Sequence, residues 1–359
     1  MGPLDLFFLT DGGQTADAVS QRLAAFLGGA TKSLDIALYD LRLEETPATT
    51  LLAAFDAAVK RGVSVRLMFN QDHPGAIIDP PPAQIDWEFV DRLKAIGVHT
   101  KPVDGVPDLM HHKYVIRDSG VGVAAVLSGS SNWTNDSWNR EENVILTVAS
   151  EEIAADYVIN FEGLWENPVV AASGHNSSPW SLLSDGTRVR PYFCPGRSLK
   201  LVHAMSRSIA SAQKRVRVCS PVITSGPILG TLAEVVAAGK VDVGGVYDAT
   251  QMDEVQSQWS SQGGTEWKIG AFRSVTAGAR FGAKRSTPYA KGTVHDFMHA
   301  KMLVADDYTY VGSFNLSHSG ESNAENVIQI ESAAIAETCA SYIDGVAARY
   351  GGPPAPRSS

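Results

Sequence analysis

The chain has 359 residues, of which 44% are apolar and 19% are charged, and its formal net charge is −9. This length and composition predict a globular protein with two domain-sized units, and they exclude a membrane-spanning chain because no apolar run approaches roughly 18 residues. The acidic balance argues against a surface that is basic throughout. The three cysteines are widely spaced and form no Cys-x-x-Cys pair, so we expect buried thiols in a reducing compartment.

The chain opens on an apolar stretch at 6–9 without the basic leader of a secreted protein, so a cytoplasmic location is expected. Short apolar strands then alternate with amphipathic helices in two successive series. The first series is a strand at 5–8, a helix at 16–27, a strand at 34–38, a helix at 49–60 and a strand at 63–69. The second series is a strand at 189–193, a helix at 199–212, a strand at 216–219, a helix at 228–238 and a strand at 241–243. This alternation predicts β-α-β units and a largely parallel sheet in each half.

A segment rich in Ser, Gly, Asn and Pro separates the two series and has the composition of a connector. We therefore expect a first repeat at 1–167, a linker at 168–186 and a second repeat at 187–350. The Gly- and Pro-rich tail at 351–359 is expected to be disordered.

Three polar blocks occur once in each half and in the same order. The first block is His-x-Lys-x4-Asp, formed by His111, Lys113 and Asp118 and again by His299, Lys301 and Asp306. The second is Gly-Ser-x-Asn, which contains Ser130 and Asn132 and again Ser313 and Asn315. The third is a Glu-Asn pair before an apolar run, at Glu142-Asn143 and Glu325-Asn326. Three polar blocks kept twice in one order predict a single site assembled from two matching halves.

The residue types in these blocks are suited to hold and cleave a phosphodiester. Alternate residues of a strand share a face, so His111 and Lys113 should project together, as should His299 and Lys301. A neutral imidazole can attack phosphorus while a protonated one gives its proton to the leaving oxygen. Both forms coexist near the usual histidine pKa of about 6.5. The lysines, together with the Ser and Asn side chains of the second block, would stabilise charge on the non-bridging oxygens.

The two glutamates of the third block, Glu142 and Glu325, are suited to accept the Nδ1 proton of a catalytic histidine and so to leave Nε2 free to act. The lysines can supply the electrostatic stabilisation that Mg²⁺ supplies elsewhere, and the sequence shows no acidic cluster of metal ligands. We therefore predict no metal and no other cofactor. Because both halves of the site belong to one chain, a monomer is expected to be sufficient for a complete site.

These residues and spacings resemble the phospholipase D superfamily, whose signature is His-x-Lys-x4-Asp with a downstream Gly-Ser-x-Asn, usually present twice. The resemblance covers about residues 4–348. It implies an α/β fold of two homologous α-β-α sandwich domains related by a pseudo-two-fold axis, and a ping-pong reaction through a covalent phosphohistidine. By the same analogy His111 is the nucleophile and His299 the general acid and then base, although the residues alone leave the two roles interchangeable. Asp118 and Asp306 match the motif, but near strand ends they are expected to anchor structure.

The style of the doubled motif is most similar to nuclease-type members of that superfamily. A basic segment free of acids, from Trp267 to His295, would either guide a polyanionic backbone or form a solvated loop. Its cations are Lys268, Arg273, Arg280, Lys284, Arg285 and Lys291. Nucleic acid is therefore the expected substrate. Phospholipid is the alternative, with either water or an alcohol as acceptor, and an inactive protein that binds nucleic acid or phospholipid is the second alternative.

Four further side chains near the motifs have two interpretations each. His112 is expected to be structural or to support the site from behind, because it points away from His111. His295 would lie on the rim of the pocket or outside it. Trp133 and Trp138 would pack in the core or stack on substrate.

Overall fold

The computed structural model describes residues 2–71, 85–290 and 292–353. The first lobe combines one large sheet, a two-stranded sheet and flanking helices. Its strands are Leu4–Leu9 (β1), Ser33–Leu38 (β2), Leu41–Arg42 (β3), Ser64–Gln71 (β4), His99–Asp104 (β5), Lys113–Arg117 (β6), Ala125–Gly129 (β7), Trp133–Thr134 (β8) and Asn143–Ala149 (β9). Its helices are Ala16–Gly28 (α1), Glu45–Lys60 (α2), Trp87–Ala95 (α3), Asn135–Asn139 (α4) and Glu151–Glu166 (α5).

The second lobe repeats this arrangement. Its strands are Ser181–Leu182 (β10), Arg188–Phe193 (β11), Arg215–Ser220 (β12), Asp242–Asp248 (β13), Arg280–Lys284 (β14), Met302–Ala305 (β15), Tyr308–Gly312 (β16) and Asn326–Glu331 (β17). Its helices are Ser198–Ser211 (α6), Gly226–Ala238 (α7), Ala249–Ser261 (α8), Glu266–Gly278 (α9), His318–Ser322 (α10) and Ala333–Arg349 (α11).

The two large sheets have the same strand order. It is β1-β9-β7-β6-β2-β4-β5 in the first lobe and, after the short edge strand β10, β11-β17-β16-β15-β12-β13-β14 in the second. This shared order confirms the α/β fold with two homologous domains. Within the described strands of these two large sheets, β2, β4 and β5, and likewise β12, β13 and β14, run parallel, and the other pairs are antiparallel. The prediction of largely parallel sheets is wrong for the other strands, because hairpin connections such as β6–β7 and β15–β16 are too short for a parallel crossover.

Three apolar clusters form the core. One lies beneath α1, α2 and α3 in the first lobe, and another beneath α6 to α9 in the second. The third lies between the lobes, where α5 and α11 pack with residues from both sheets. Tyr157 of α5 and Phe193 of β11 meet there with ring centroids 4.9 Å apart. The two lobes therefore share one buried layer.

The predicted linker and tail are partly built into the fold. Within the linker, residues 170–172 form a short 3-10 turn, and Ser181–Leu182 pair with β11 and so extend the second sheet. In the predicted disordered tail, the Gly352 N–H donates a hydrogen bond of 2.8 Å to the Ala347 carbonyl, so that prediction is wrong for 351–353. Residues 354–359 lie outside the described residues. Among the helices that the structure describes, none combines the length and apolar character needed to cross a bilayer.

Candidate active site

The two motif histidines lie just before equivalent strands and are anchored on opposite lobes. His111 precedes β6, and its backbone N–H donates to the Ala324 carbonyl at 2.9 Å. His299 precedes β15, and its backbone N–H donates to the Glu142 carbonyl at 3.1 Å. The backbone N–H of each histidine is thus held by a carbonyl of the opposite lobe. This exchange of backbone bonds brings the two motifs together at the lobe interface.

Both imidazoles line one cavity of about 280 Å³. The Gly-Ser-x-Asn blocks of both lobes contribute to its wall through Asn132 and Asn315. The Oδ1 atoms of both asparagines are buried and have no hydrogen-bond partner among the described residues. Because the oxygen and nitrogen of an amide exchange by a simple flip, the unpartnered end of each side chain can serve a ligand as an acceptor or as a donor.

His111 is held by a carboxylate. Its Nδ1 lies 2.8 Å and 2.9 Å from the two carboxylate oxygens of Glu325, which is fully buried. Burial and the nearby ammonium groups of Lys113 and Lys301 hold the pKa of His111 well below its usual value, so the ring is neutral at neutral pH. Burial raises the pKa of Glu325 to about 8, although Lys113 opposes that shift. With Nδ1 committed to Glu325, Nε2 is the nitrogen left for the cavity.

His299 has a different partner. Its Nδ1 lies 3.2 Å from Oδ1 of Asn143 and 3.4 Å from a carboxylate oxygen of Glu141. Burial, followed by the charges of Lys301 and Lys113, holds the pKa of His299 well below its usual value. Burial also raises the pKa of Glu141 to about 7. Nδ1 of His111 therefore faces both oxygens of a carboxyl group, whereas Nδ1 of His299 lies nearest to an amide oxygen, with a carboxylate oxygen slightly farther away.

The expectation that Glu142 would orient a catalytic histidine is wrong. Its carboxylate instead lies 2.7 Å from Nζ of Lys284 and accepts hydrogen bonds from the Tyr350 hydroxyl and the Asp11 backbone. The cause is a one-residue difference in register. Gly129 pairs with Ile145, whereas the equivalent Gly312 pairs with Val327, so the first lobe has one more residue between these positions.

That extra residue places Asn143, and not Glu142, at the position that Glu325 occupies in the second lobe. Neither Asn143 nor Glu141 was predicted as a site residue. The exact repeat of Glu-Asn-Val-Ile in the sequence hides the shift, and only the pairing of strands reveals it.

The two motif lysines lie behind the wall of the cavity. Lys113 and Lys301 are each about 2% exposed, and their ammonium groups donate to the backbone carbonyls of His111 and His299 at 2.8 Å and 2.5 Å. Burial lowers the pKa of Lys113 to about 7 and lowers the pKa of Lys301 as well. Nζ of Lys113 also lies 4.9 Å from the centre of the Tyr39 ring. The amino groups of both lysines thus lie beside the imidazoles, where a bound anion would favour their charged forms.

The two motif serines do not face the cavity, contrary to their predicted role in binding phosphate. The Ser130 hydroxyl donates to Oδ1 of Asn143 at 2.7 Å, and the Ser313 hydroxyl donates to Glu325 at 2.5 Å. Each hydroxyl also accepts a backbone N–H from the neighbouring strand. The serines therefore fix the groups that contact the histidines.

The motif aspartates hold the backbone at the far ends of β6 and β15. Asp118 accepts the backbone N–H groups of residues 31–33, and Asp306 accepts those of residues 213–215. Both have a left-handed backbone, with φ of 55° and 49°. Neither lines the cavity between the histidines.

The other side chains near the motifs separate into core and rim. His112 is fully buried between Tyr114 and Phe193, and burial lowers its pKa to about 3. Trp133 and Trp138 are buried in the outer core of the first lobe. His295 lines the cavity and stacks on Phe297, with ring centroids 5.2 Å apart. Phe297 also lines the cavity and was not predicted.

The basic segment before the second motif does not form a free cationic surface. Most of its cations contact groups from other parts of the chain. These contacts are the Thr224 carbonyl for Lys268, Asp242 for Arg280, Glu142 for Lys284 and Asp253 for Arg285. Lys291 lies outside the described residues. The segment is helix α9 and strand β14 over most of its length, so the expectation of a guiding or solvated loop is wrong there.

Comparisons with known proteins agree with the doubled motif. The family described as "Cardiolipin synthase, PLD-like domain" matches residues 23–165 and 205–346, one match in each lobe. The chain belongs to this phospholipase D-like family.

Among the described residues, no group of three or more His, Cys, Asp or Glu side chains is arranged to hold a metal ion.

Individual relatives are distant. The mitochondrial cardiolipin hydrolase of Xenopus laevis is 29% identical over 153 residues, which are 42% of this chain and 62% of that protein. The chain thus spans about three fifths of the length of the curated relatives that it matches. Among solved structures, phosphatidylserine synthase from Haemophilus influenzae superposes with a TM-score of 0.66 at 14% identity, covering 97% of this chain and 87% of that one. Polyphosphate kinase from Porphyromonas gingivalis superposes with a TM-score of 0.60 at 10% identity, covering 95% and 46%. These two likenesses concern the fold alone.

Proposed function

We propose that this protein is a phosphodiesterase that works through a covalent phosphohistidine on His111. The observation that carries the proposal is the pair of buried imidazoles from two lobes on one small cavity, with a lysine amino group beside each. A phosphodiester anion matches this charge, since its non-bridging oxygens would face the Asn132 and Asn315 amides and the field of the lysines.

In the first step Nε2 of His111 attacks phosphorus while its Nδ1–H stays directed at Glu325. The bond from phosphorus to the leaving alcohol oxygen breaks, and a protonated His299 gives its proton to that oxygen. The negative charge of a bound phosphodiester raises the pKa of the neighbouring imidazoles, which opposes the effect of burial and of the two lysines. The substrate therefore helps to protonate its own general acid.

In the second step His299, now neutral, takes a proton from water. The resulting oxygen attacks phosphorus, the phosphorus–nitrogen bond breaks, and His111 is released as a neutral ring. The electrostatic stabilisation is assigned to the two lysines, so turnover should persist in a metal chelator. An alcohol in place of water would give group transfer through the same intermediate.

The different partners of the two imidazoles support this division of roles. A phosphorylated imidazole carries positive charge, which a carboxylate stabilises better than an amide does. Glu325 lies within 2.9 Å of His111 through both oxygens, whereas His299 has the Asn143 amide at 3.2 Å. His111 is accordingly the nucleophile and His299 the general acid and base.

For the substrate we propose a phosphodiester of the phospholipid type, without the long run of phosphates of a polynucleotide. Among the described residues no Lys or Arg lines the cavity, whereas Glu141 and Glu254 do, together with Asp40, whose carboxylate is paired with Arg42. A nucleic acid would bring the flanking phosphates of its chain against these carboxylates, at a cost in repulsion. The name of the cardiolipin hydrolase relative agrees with a phospholipid. The style of the doubled motif still predicts nucleic acid as the substrate. The basic segment from Trp267 to His295 does not support that prediction, because most of its cations already contact other parts of the chain.

The test is a substrate panel in EDTA. Purified protein and His111→Asn would be offered phosphatidylcholine and cardiolipin in mixed micelles, single- and double-stranded DNA, RNA, and bis(p-nitrophenyl) phosphate. We expect release of the lipid head group and of p-nitrophenol by the wild type alone. Cleavage of nucleic acid without lipid turnover would overturn the substrate and leave the chemistry intact. Equal turnover by His111→Asn would overturn the chemistry, and absence of turnover on every substrate would favour an inactive binding protein.

A further inference from the structure

A second cavity, of about 560 Å³, lies in the second lobe and shares no residue with the one between the histidines. Its walls are the linker around Asn176, strand β11 and helix α6. Its cations and one titratable ring are Arg190, Arg197, Lys200, Arg207 and His203. No aspartate or glutamate is among the described residues that line it. In a chain with a net charge of −9, this concentration of positive charge stands out against the average surface.

The local structure explains why these cations converge. Lys200, His203 and Arg207 have the spacing of one helical face on α6, opposite the buried Leu201 and Met205. On β11, Arg190 and Tyr192 are two residues apart and so share a face of the strand. Two secondary-structure elements thus direct their basic faces into the same hollow.

The four lysine and arginine side chains of this cavity are not neutralised. Within the described part of the chain, none of them forms an ion pair. Nε of Arg190 donates to the side-chain oxygen of Gln329 at 2.8 Å, and Nε of Arg197 donates to the carbonyls of His175 and Asn176. These neutral acceptors orient the guanidinium groups and leave their charge uncompensated. A ligand with negative charge would supply the missing partner.

Exposed apolar side chains lie on helix α6 and on strand β10, which pairs with β11, beside the cavity-lining residues of these elements. Leu199, next to Lys200, is 67% exposed, and Leu182, whose strand partner is Arg188, is 71% exposed. The guanidinium groups of Arg188 and Arg190 both lie over the Trp180 ring, at 4.8 Å and 4.5 Å from its centre. Exposed leucines and a tryptophan around a basic hollow are typical of proteins that sit at a membrane interface.

We infer that this basic cavity binds the phosphate-bearing head group of an anionic phospholipid at a membrane surface. The cations would contact the head-group phosphate, while Leu182 and Leu199 would enter the interfacial layer. A nucleic-acid site would call for an extended basic track with stacked aromatic rings. The observed cations instead close around a compact hollow, which fits a head group. The inference does not depend on the chemistry at His111.

The test measures binding to vesicles, with turnover removed by His111→Asn in every protein. Vesicles of phosphatidylcholine alone and with phosphatidylglycerol would be compared by co-sedimentation. The test variant is Lys200→Gln with Arg207→Gln, and the matched control is Lys240→Gln with Arg273→Gln, which removes the same charge from exposed positions outside both cavities. We expect binding to anionic vesicles alone, about 30-fold weaker in the test variant because each basic residue near a lipid surface contributes about a factor of five. The control should bind like its parent.

Four results would overturn the inference. One is absence of binding to anionic vesicles, and another is equal weakening in the test and control variants. The third is loss of RNA or DNA binding in the test variant while vesicle binding is unchanged. The fourth is binding of millimolar glycerol phosphate that is the same with and without vesicles. That result would assign the cavity to a free phosphate ester and not to a membrane lipid. Circular dichroism would verify that the substitutions leave the fold intact. Turnover of bis(p-nitrophenyl) phosphate by the same variants with His111 restored would verify that the first cavity is intact.

Discussion

At the scale of single residues, the two motif histidines have different partners although their motifs are the same. His111 contacts both oxygens of the Glu325 carboxylate, and His299 contacts the Asn143 amide. A symmetric site would leave the choice of nucleophile open. In the proposed mechanism the carboxylate would make His111 the better nucleophile and the better carrier of a positive phosphorylated ring.

Glu325→Gln should lower kcat by about 10²–10⁴-fold, because His111 loses the acidic group that can ionise to balance the positive charge of its phosphorylated ring. The matched control is Glu142→Gln, which has the same place in the sequence repeat but pairs with the buried Lys284. We expect this control to lower the free energy of unfolding by about 3 kcal/mol, because it leaves a buried ammonium group poorly paired, and to keep kcat per folded molecule. Steady-state kinetics and urea unfolding measure both effects. A larger loss of kcat in Glu142→Gln than in Glu325→Gln would contradict the assignment.

His112 should make the fold sensitive to acid. Burial lowers its pKa to about 3 in the folded state, whereas the unfolded value is about 6.5. The unfolded chain therefore binds more protons between these values, and stability falls as the pH drops below about 6.5. Between pH 7 and pH 5 this group alone contributes a loss of about 2 kcal/mol. His112→Asn should reduce the pH dependence of urea unfolding by that amount, and an unchanged slope would show that His112 is not buried as a neutral ring.

At the scale of elements, the motif aspartates fasten turns to strand ends. Asp306 accepts three backbone N–H groups from residues 213–215, which connect α6 to β12. Asp306→Asn keeps the size but loses the charge, and it should lower the free energy of unfolding by about 1–2 kcal/mol while kcat stays within about twofold. Urea unfolding and kinetics on one preparation test this. A 100-fold loss of kcat with unchanged stability would instead place Asp306 in the reaction.

The sequence could predict the elements and the meeting of the two motifs, because the repeat of apolar pattern and polar blocks is visible within each half. It could not predict which acid faces which histidine, since that depends on the one-residue difference in register between β7–β9 and β16–β17. The partners of the basic segment could not be predicted for a similar reason. Partners such as Asp242 and Asp253 approach it only through the pairing of strands and helices distant in the chain.

At the scale of the whole molecule, the shared central core should make the two lobes unfold together. Phe193 is fully buried there and contacts Tyr157 of the other lobe and the ring of His112. Phe193→Ala should lower the free energy of unfolding by about 3–5 kcal/mol and keep a single transition. Differential scanning calorimetry would show it as one shifted peak. Two resolved peaks in the wild type would mean that the lobes are independent folding units.

The most direct measurement traps the covalent intermediate. His299→Asn removes the general base for the second step, while a p-nitrophenyl diester needs no general acid for the first, so the adduct should accumulate. We expect one equivalent burst of p-nitrophenol and, after quenching in alkaline denaturant, a phosphorus adduct that mass spectrometry maps to His111. His111→Asn should show neither burst nor adduct. An adduct on His299 in the His111→Asn protein, or a burst without any adduct on His111 in the His299→Asn protein, would contradict the account.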